Sequence, residues 1–584
     1  MNAARAPRLS AWIAGLLLAL IVSWRATSPP RATAGGPAEL VVQNARIWTA
    51  DPARPWAETL AVSGGRFTFV GAAAEGGGLT GPATRVVDAG GRLLLPGFND
   101  AHVHLVSGAL SLELVDLIED QTVEAVQARI KAFAVAHPEA PWVRGRGWLY
   151  GSFPGGLPTR AQLDAAVPDR PAYMECYDGH SGWANSKALA LAGITKDTKD
   201  PKDGVIVRDP GTGEPTGALK ERATDLVASK IPEPDAGGRY ALFLRALRRL
   251  NAQGITSVQD AGTLGSSPTD PELTKGDLFG RARREGRLTV RIAAAVGMQE
   301  GQHEAAIAEA RRWKSLHDDA YIRFGRVKGY VDGVIEAHTA ALLEPYSDDA
   351  SFGLGLPNWT PEGLVQAVTA ADRAGLQVYL HAIGDRGVRM ALDAHEAAAR
   401  ANTPRDRRGR IEHIETIHPA DYPRFGALGV IASMQPLHAN PDQNSELVWR
   451  KNAGVERSSR GFSWGNLERA GVLLIFGSDW PVVTADVFRG LYCAVTRRTR
   501  EGAPPGGWLP EQAVKLESAL RHYTIDAAYA SFEEDDKGSI TEGKLADFVV
   551  LSEDLFGTGP ETILKTKVLL TAMDGRLVHR ETPF

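Results

Sequence analysis

The chain has 584 residues, 43% of them hydrophobic and 23% charged, with a formal net charge of −5. That describes a globular protein large enough for a catalytic domain plus accessory domains, and it offers no basic surface for nucleic acid. Cys176 and Cys493 are too few for a disulfide framework.

In chain order, Arg5 and Arg8 precede the apolar run AWIAGLLLALIVSW (11–24), and a Pro-rich stretch leads to ATA, ending at Ala34. A basic segment, a short apolar run and small residues describe a secretory signal over 1–34. The run is short for a membrane-spanning helix. Export to the periplasm or beyond is expected, with an uncleaved N-terminal membrane anchor as the alternative. Residues 38–72 then alternate short β-rich runs with Gly, Asn and Asp-Pro turns, and GSITEGKLADFVVLSED (538–554) and VLLTAMDGRLVHR (568–580) return to that grammar. Residues 38–91 and 530–584 are therefore expected to join as one small β-sandwich.

The middle of the chain alternates apolar strands with helical patterns, which favours a parallel sheet. The predicted strands are RLLLPG (92–97), ITSVQD (255–260), TVRIAAAV (289–296), RVKGYV (326–331), QVYLHA (377–382), RIEHIE (410–415), VIASMQ (430–435) and VLLIFGSD (472–479). Helical stretches such as 360–375 and 385–401 lie between them. This is the order of an α/β protein with a TIM-like (β/α)8 barrel, spanning 92–109 and 226–529, whose site residues sit at strand C-termini. The long gap after the first strand, 110–225, reads as an inserted α/β domain over the barrel mouth. The basic cluster RDRRGR (405–410) reads as a solvated loop.

The stretch LLLPGFNDAHVHL (93–105) ends in His102 and His104, which share a face if the chain stays extended. Alone, H-x-H fits polar surface residues as well as a metal site. Lys328 lies on the fourth strand, His381 ends the fifth, His413 lies on the sixth and Asp479 ends the eighth, within GSDWP. Each has an ordinary explanation as a paired lysine, a satisfied core histidine or a helix N-cap. Ligand-type residues at five strand ends of one barrel point jointly to metal.

PGFNDAHVHL, DGHSGWANSKAL (178–189), PTGALKE (215–221), VKGYVDGVIEAHTAAL (327–342), HAIGDRGV (381–388), RIEHIE, FGSDWPV (476–482) and GSITEGKLADFVVL together resemble the metal-dependent amidohydrolase superfamily. The resemblance is to its amidohydrolase-3 branch of YtcJ-like proteins, which includes N-substituted formamide deformylases, and it covers nearly the whole mature chain. It implies that Lys328 is carboxylated by CO2, because an ammonium has only donors and cannot bind a metal. The carbamate would bridge two divalent metals about 3.5–4 Å apart, with His102 and His104 on one, His381 and His413 on the other, and Asp479 beside the first. Zinc suits these donors best, and manganese and iron fit them too. A bridging hydroxide would attack an amide carbonyl, with Asp479 acting as general base and then general acid.

His180 either reaches the substrate or developing oxyanion or holds the insert together. Tyr177 and Trp183, with Trp148 and Tyr150, form either an aromatic substrate wall or the insert's own core. Glu221 supports the site without being a ligand. One departure stands out: where the branch carries a small Ser-rich turn after Asp332-Gly333, this chain reads VIEAH. Glu336 and His338 thus lie near the mouth without a transferred role.

The expected activity is hydrolysis of an exported small-molecule amide. Hydrolysis of a lactone, carbamate or cyclic ureide is the alternative, and a non-catalytic binding protein comes third. Deamination is disfavoured because a mononuclear site, built around His381, His413 and Asp479, would make Lys328 superfluous. A homodimer is left open. Protein recovered from its host is expected to begin near Gly35, read by N-terminal mass analysis. Intact Met1 on soluble cytoplasmic protein would contradict export, and intact Met1 in the membrane fraction would favour the anchor.

Overall fold

The computed structural model describes residues 36–582 except 178, 180, 203, 233 and 263–274. The expected leader and His180 lie outside the described residues. Among the described residues, no helix is long and apolar enough to cross a membrane.

Eight parallel strands form the central barrel: β1 (Phe98–Val103), β2 (Ile255–Asp260), β3 (Arg291–Met298), β4 (Ile322–Tyr330), β5 (Gln377–Ala382), β6 (Arg410–His413), β7 (Ile431–Met434) and β8 (Leu474–Phe476). Each pairs with its sequence neighbour, and a parallel bridge between Val103 and Trp480 joins the last to the first. The helices between strands follow local sequence. In Pro361–Arg373, Thr360 accepts the Gly363 N–H as N-cap and proline opens the first turn. Leu364, Ala367, Val368 and Ala371 recur at helical spacing and are buried on its inner face.

The first predicted strand is corrected. Leu93–Pro96 belongs to a different sheet, parallel to Arg46–Trp48 and antiparallel to Phe548–Leu551. The barrel begins only at Phe98. Gly97 is the crossing point: a Cβ there would stand 2.2 Å from Thr256 Oγ1, so only glycine fits where the chain leaves one sheet for the other.

Both chain ends contribute to that second, six-stranded sheet, and a four-stranded sheet built from residues 40–88 packs on it. Leu40, Val42, Leu60 and Phe67 share one buried cluster with Phe548, Val550 and Leu570. Arg291, at the start of β3, donates to Asp547 at 2.6 and 2.9 Å and also to Asp574, tying the barrel to the terminal sheet through a buried ion pair. Between β1 and β2, residues 115–221 form a six-stranded mixed sheet. It meets the barrel mouth where Arg146 donates to the Pro481 carbonyl and Arg489 to Glu119.

The basic cluster at 405–410 is not a solvated loop. Arg405 and Arg407 pair with buried Asp372, Arg408 with Glu534, and Arg410 is fully enclosed in the barrel. Each guanidinium has a carboxylate within reach, which is why these charges tolerate partial or full burial. Cys176 and Cys493 are buried and free.

Candidate metal centre

The C-terminal ends of β1, β4, β5, β6 and β8 bring His102, His104, Lys328, His381, His413 and Asp479 to one mouth. His102, His413 and Asp479 each offer a ligand-type atom within 4.8 Å of the others. His104 Nε2 lies 3.2 Å and His102 Nε2 3.5 Å from Asp479 Oδ1. The His381 and His413 ring centroids are 4.5 Å apart, and those of His102 and His413 4.9 Å. Lys328 lies close enough that its charge disfavours protonation of His102, His381 and His413.

Backbone geometry at the seam fixes two of these residues. The Asp479 N–H donates to the His102 carbonyl at 2.7 Å, and the His104 N–H donates to the Trp480 carbonyl at 2.8 Å. Gly477 permits the approach, since a Cβ there would stand 2.4 Å from His102 N. Asp100 spans the same seam, accepting from Ser478 N (2.8 Å), Ser478 Oγ (2.6 Å) and His102 N (3.3 Å). Asp479 (φ 62°) and His413 (φ 75°) both hold left-handed backbone, which costs a non-glycine residue about 1–3 kcal/mol and collects at functional sites.

Hydrogen bonds fix the imidazole tautomers. His102 Nδ1 donates to Glu412 Oε2 at 2.6 Å, His104 Nδ1 to the Gly262 carbonyl at 2.6 Å, and His413 Nδ1 to Gln435 Oε1 at 2.8 Å. With the proton on Nδ1, each Nε2 carries a lone pair. In His381 it is Nε2 that donates, to the Gly333 carbonyl at 3.2 Å, so Nδ1 is its lone-pair nitrogen. Glu412 is itself held by Arg410, at 2.9 Å and 3.1 Å, and Arg410 also donates to Gln259, Ser433 and the Ala101 carbonyl.

The charge states follow. Burial lowers His102 to about 4 and His381 to about 3, with Lys328 adding to both. Burial, then His381 and His102, push His413 well below the usual histidine range. The rings are neutral at pH 7, as metal ligands must be. Asp479 lies well below the ordinary carboxylate range: burial opposes its ionisation, and the charge that His102 and His104 would carry if protonated favours it. Burial also brings Lys328 down to about 8.

Lone-pair nitrogens and an ionised carboxylate oxygen therefore face one another in a water-poor pocket. His102 Nε2, Asp479 Oδ1 and Lys328 Nζ are all buried without a hydrogen-bond partner. Electron-rich atoms at this spacing repel unless a cation stands among them, and unmade bonds on buried polar groups are costly. The donor set of imidazole and carboxylate fits a divalent transition metal.

Other sequence expectations fare differently. Trp183 is fully enclosed in the insert's core, its indole donating to the Thr159 carbonyl at 2.8 Å and its ring 5.2 Å from Phe153. A ring with no accessible face cannot touch a substrate, so Trp183 is removed from the expected aromatic wall, and the enclosed Trp148 with it. Tyr177 stays half-buried, 6.3 Å from the Tyr150 ring. Glu221 is exposed at the end of an insert strand. His338 stacks on Phe352 at 3.8 Å and binds Asp348 at 2.9 Å, a loop-fixing role. Sequence reading missed Glu412 and His438. Glu412 stands one residue from His413 in RIEH, and its signal was its pairing with Arg410 two residues earlier. His438 lies on a turn after β7 and stacks on His413, its centroid 5.7 Å away.

A (β/α)8 barrel with a cation-requiring cluster at its C-terminal mouth defines a metal-dependent hydrolase. The Amidohydrolase family model matches residues 85–579, and the chain belongs to that family. It is 33% identical to Protein LONG AFTER FAR-RED 3 of Arabidopsis thaliana, covering 95% of this chain and 93% of that one. It is 29% identical to an N-substituted formamide deformylase of Arthrobacter pascens, covering 93% and 99%. A metal-dependent hydrolase from Pyrococcus horikoshii superposes with TM-score 0.67 at 26% identity, covering 89% of this chain and 98% of that one.

Glu412→Gln is expected to weaken metal binding by about 10–100-fold, the usual cost of losing a partner that orients a ligating histidine. Competition against a chromogenic chelator measures this. Unchanged affinity would show that Glu412 does not set the His102 tautomer.

Proposed function

We propose that this chain hydrolyses the C–N bond of a small amide at the barrel mouth, and that N-formyl amides are the first class to try. The observation that carries the reading is the convergence of His102 Nε2, His104 Nε2 and the ionised Asp479 Oδ1 on one buried point. The alignment with nearly the whole length of a formamide deformylase supports the substrate class.

His102, His104 and Asp479 would hold one divalent metal, and His381 and His413 a second, with zinc the best match to the donors. Bound metal of this kind supplies Lewis acidity toward a carbonyl and lowers the pKa of water. Lys328, once carboxylated, would offer carbamate oxygens to these metals. Its amine is buried and unpartnered, and its lowered pKa leaves more of it in the neutral form that adds CO2.

Hydrolysis forms a C–O bond to water and breaks C–N, so one water proton must end on the leaving nitrogen. Asp479 would carry it. Its Oδ1 faces the imidazoles of β1, and Oδ2 points away from them toward His438, 3.5 Å distant. Oδ2 can take the proton as the nucleophile forms and release it to the departing amine, which leaves poorly unless protonated. The Arg-flanked apolar run at 11–24 supports placing this activity outside the cytoplasm.

Asp479→Asn keeps the size and an oxygen ligand but cannot accept and deliver a proton. It should retain much of its metal while turnover falls by roughly 10²–10⁴, and the loss should shrink for amides with good leaving groups. The assay uses N-formyl and N-acyl amides of graded leaving-group basicity, with lactones and carbamates alongside. Metal lost in proportion to activity, or equal slowing across the series, would make Asp479 a ligand only. Turnover of lactones with none of amides would overturn the substrate class.

A further inference from the structure

Among the described residues, the mouth holds an imidazole that the proposed ligand set does not use. His438 sits on the short turn Pro436–Ala439 after β7, nearly enclosed, with its ring 3° from parallel to His413. Its Nε2 is buried without a hydrogen-bond partner and lies 3.5 Å from Asp479 Oδ2. Its Nδ1 lies 3.8 Å from Glu415 Oε1, and the other Glu415 oxygen accepts the Trp449 indole N–H at 2.6 Å. The Asp479 carboxylate is therefore divided, with Oδ1 toward His102 and His104 and Oδ2 toward His438.

That division has to be maintained. The terminal torsion of an aspartate is broad and has no sharp rotamer well, so a carboxylate fixed through one oxygen alone can turn about its Cβ–Cγ bond. His438 is the ion-pair partner that Oδ2 has among the described residues. The ring lies between His413, nearly parallel with its centroid 5.7 Å away, and Glu415, whose Oε1 is 3.8 Å from Nδ1.

We propose that His438 is a positioning residue: its Nε2 stands 3.5 Å from Asp479 Oδ2, and in the working site its N–H closes on that oxygen and locks the carboxylate, so that Oδ1 keeps the ligand position and Oδ2 the proton-carrying position. The inference rests on the metal-hydrolase reading above. A carboxylate oxygen has two acceptor directions, so a bond from His438 leaves Oδ2 one for the proton in transit. Glu415 and Trp449 act through His438 by holding its ring.

Two substitutions separate hydrogen bonding from packing. His438→Phe keeps the ring stacked on His413 and the buried volume but removes the donor. His438→Gln restores an N–H at similar reach without the stack. Wild type and both variants are titrated with Co2+ and followed by visible absorption, then assayed on the amide that wild type cleaves best.

His438→Phe is expected to fold with an unchanged melting temperature, to shift the cobalt spectrum, and to lose kcat by about 10–100-fold with KM nearly constant. His438→Gln should recover most of both losses. Wild-type spectrum and kcat in His438→Phe, or a His438→Gln protein no better than His438→Phe, would overturn the inference and leave the ring a packing element. A wild-type protein that takes up no cobalt would instead overturn the metal-hydrolase reading, and this inference with it.

Discussion

Barrel closure and site assembly are one event in this protein. The last strand reaches the first through the Asp479 N–H on the His102 carbonyl and the His104 N–H on the Trp480 carbonyl. The residues that close the cylinder are the residues whose side chains meet at its mouth. Asp100 reinforces the same seam by gripping Ser478 and the His102 amide. Gly477 is obligatory there because no Cβ fits against His102. A barrel that failed to close would also lose the pairing of β1 and β8 ligands, so selection for the site and for the fold act on the same backbone bonds.

The closed barrel buries charges that water would otherwise solvate. Arg410 and Glu412 answer one another inside the barrel, and Glu412 passes that compensation on by accepting the His102 Nδ1 proton. Among the buried polar atoms of the described residues left without a hydrogen-bond partner are Asp479 Oδ1, His102 Nε2 and Lys328 Nζ. Native proteins seldom leave buried polar atoms unpaired, and here three such atoms stand together where two candidate ligand residues, His413 and Asp479, also hold left-handed backbone. Stability given up locally in this way is typical of a site prepared for something it binds.

Much of this was legible in the sequence, and the gaps have physical causes. Seven of the strands lie where the apolar runs place them, because the hydrophobic runs and the helices between them repeat strongly. The first strand was displaced because LLLP and FNDAHV are both buried β segments, and only Pro96-Gly97 marks the change of sheet. His102 and His104 were readable from alternation and His381 from its strand end. Glu412 was hidden by the same alternation, since a regular strand would send it to the face opposite His413. The positive φ at His413 ends that regularity. His438 sits on a turn, where no periodicity points to a partner. Trp183 could not be placed because an aromatic-rich insert looks alike whether its rings line a pocket or its own core.

The most direct test is anomalous diffraction at the zinc edge, on crystals of protein purified without chelator and shown to hydrolyse an amide. Two peaks among His102, His104, Lys328, His381, His413 and Asp479, with branched density at the Lys328 tip, are expected. A single peak beside an unbranched Lys328 would contradict the carbamate bridge and the second metal. Full activity in protein showing no peak there would contradict the metal-dependent site itself.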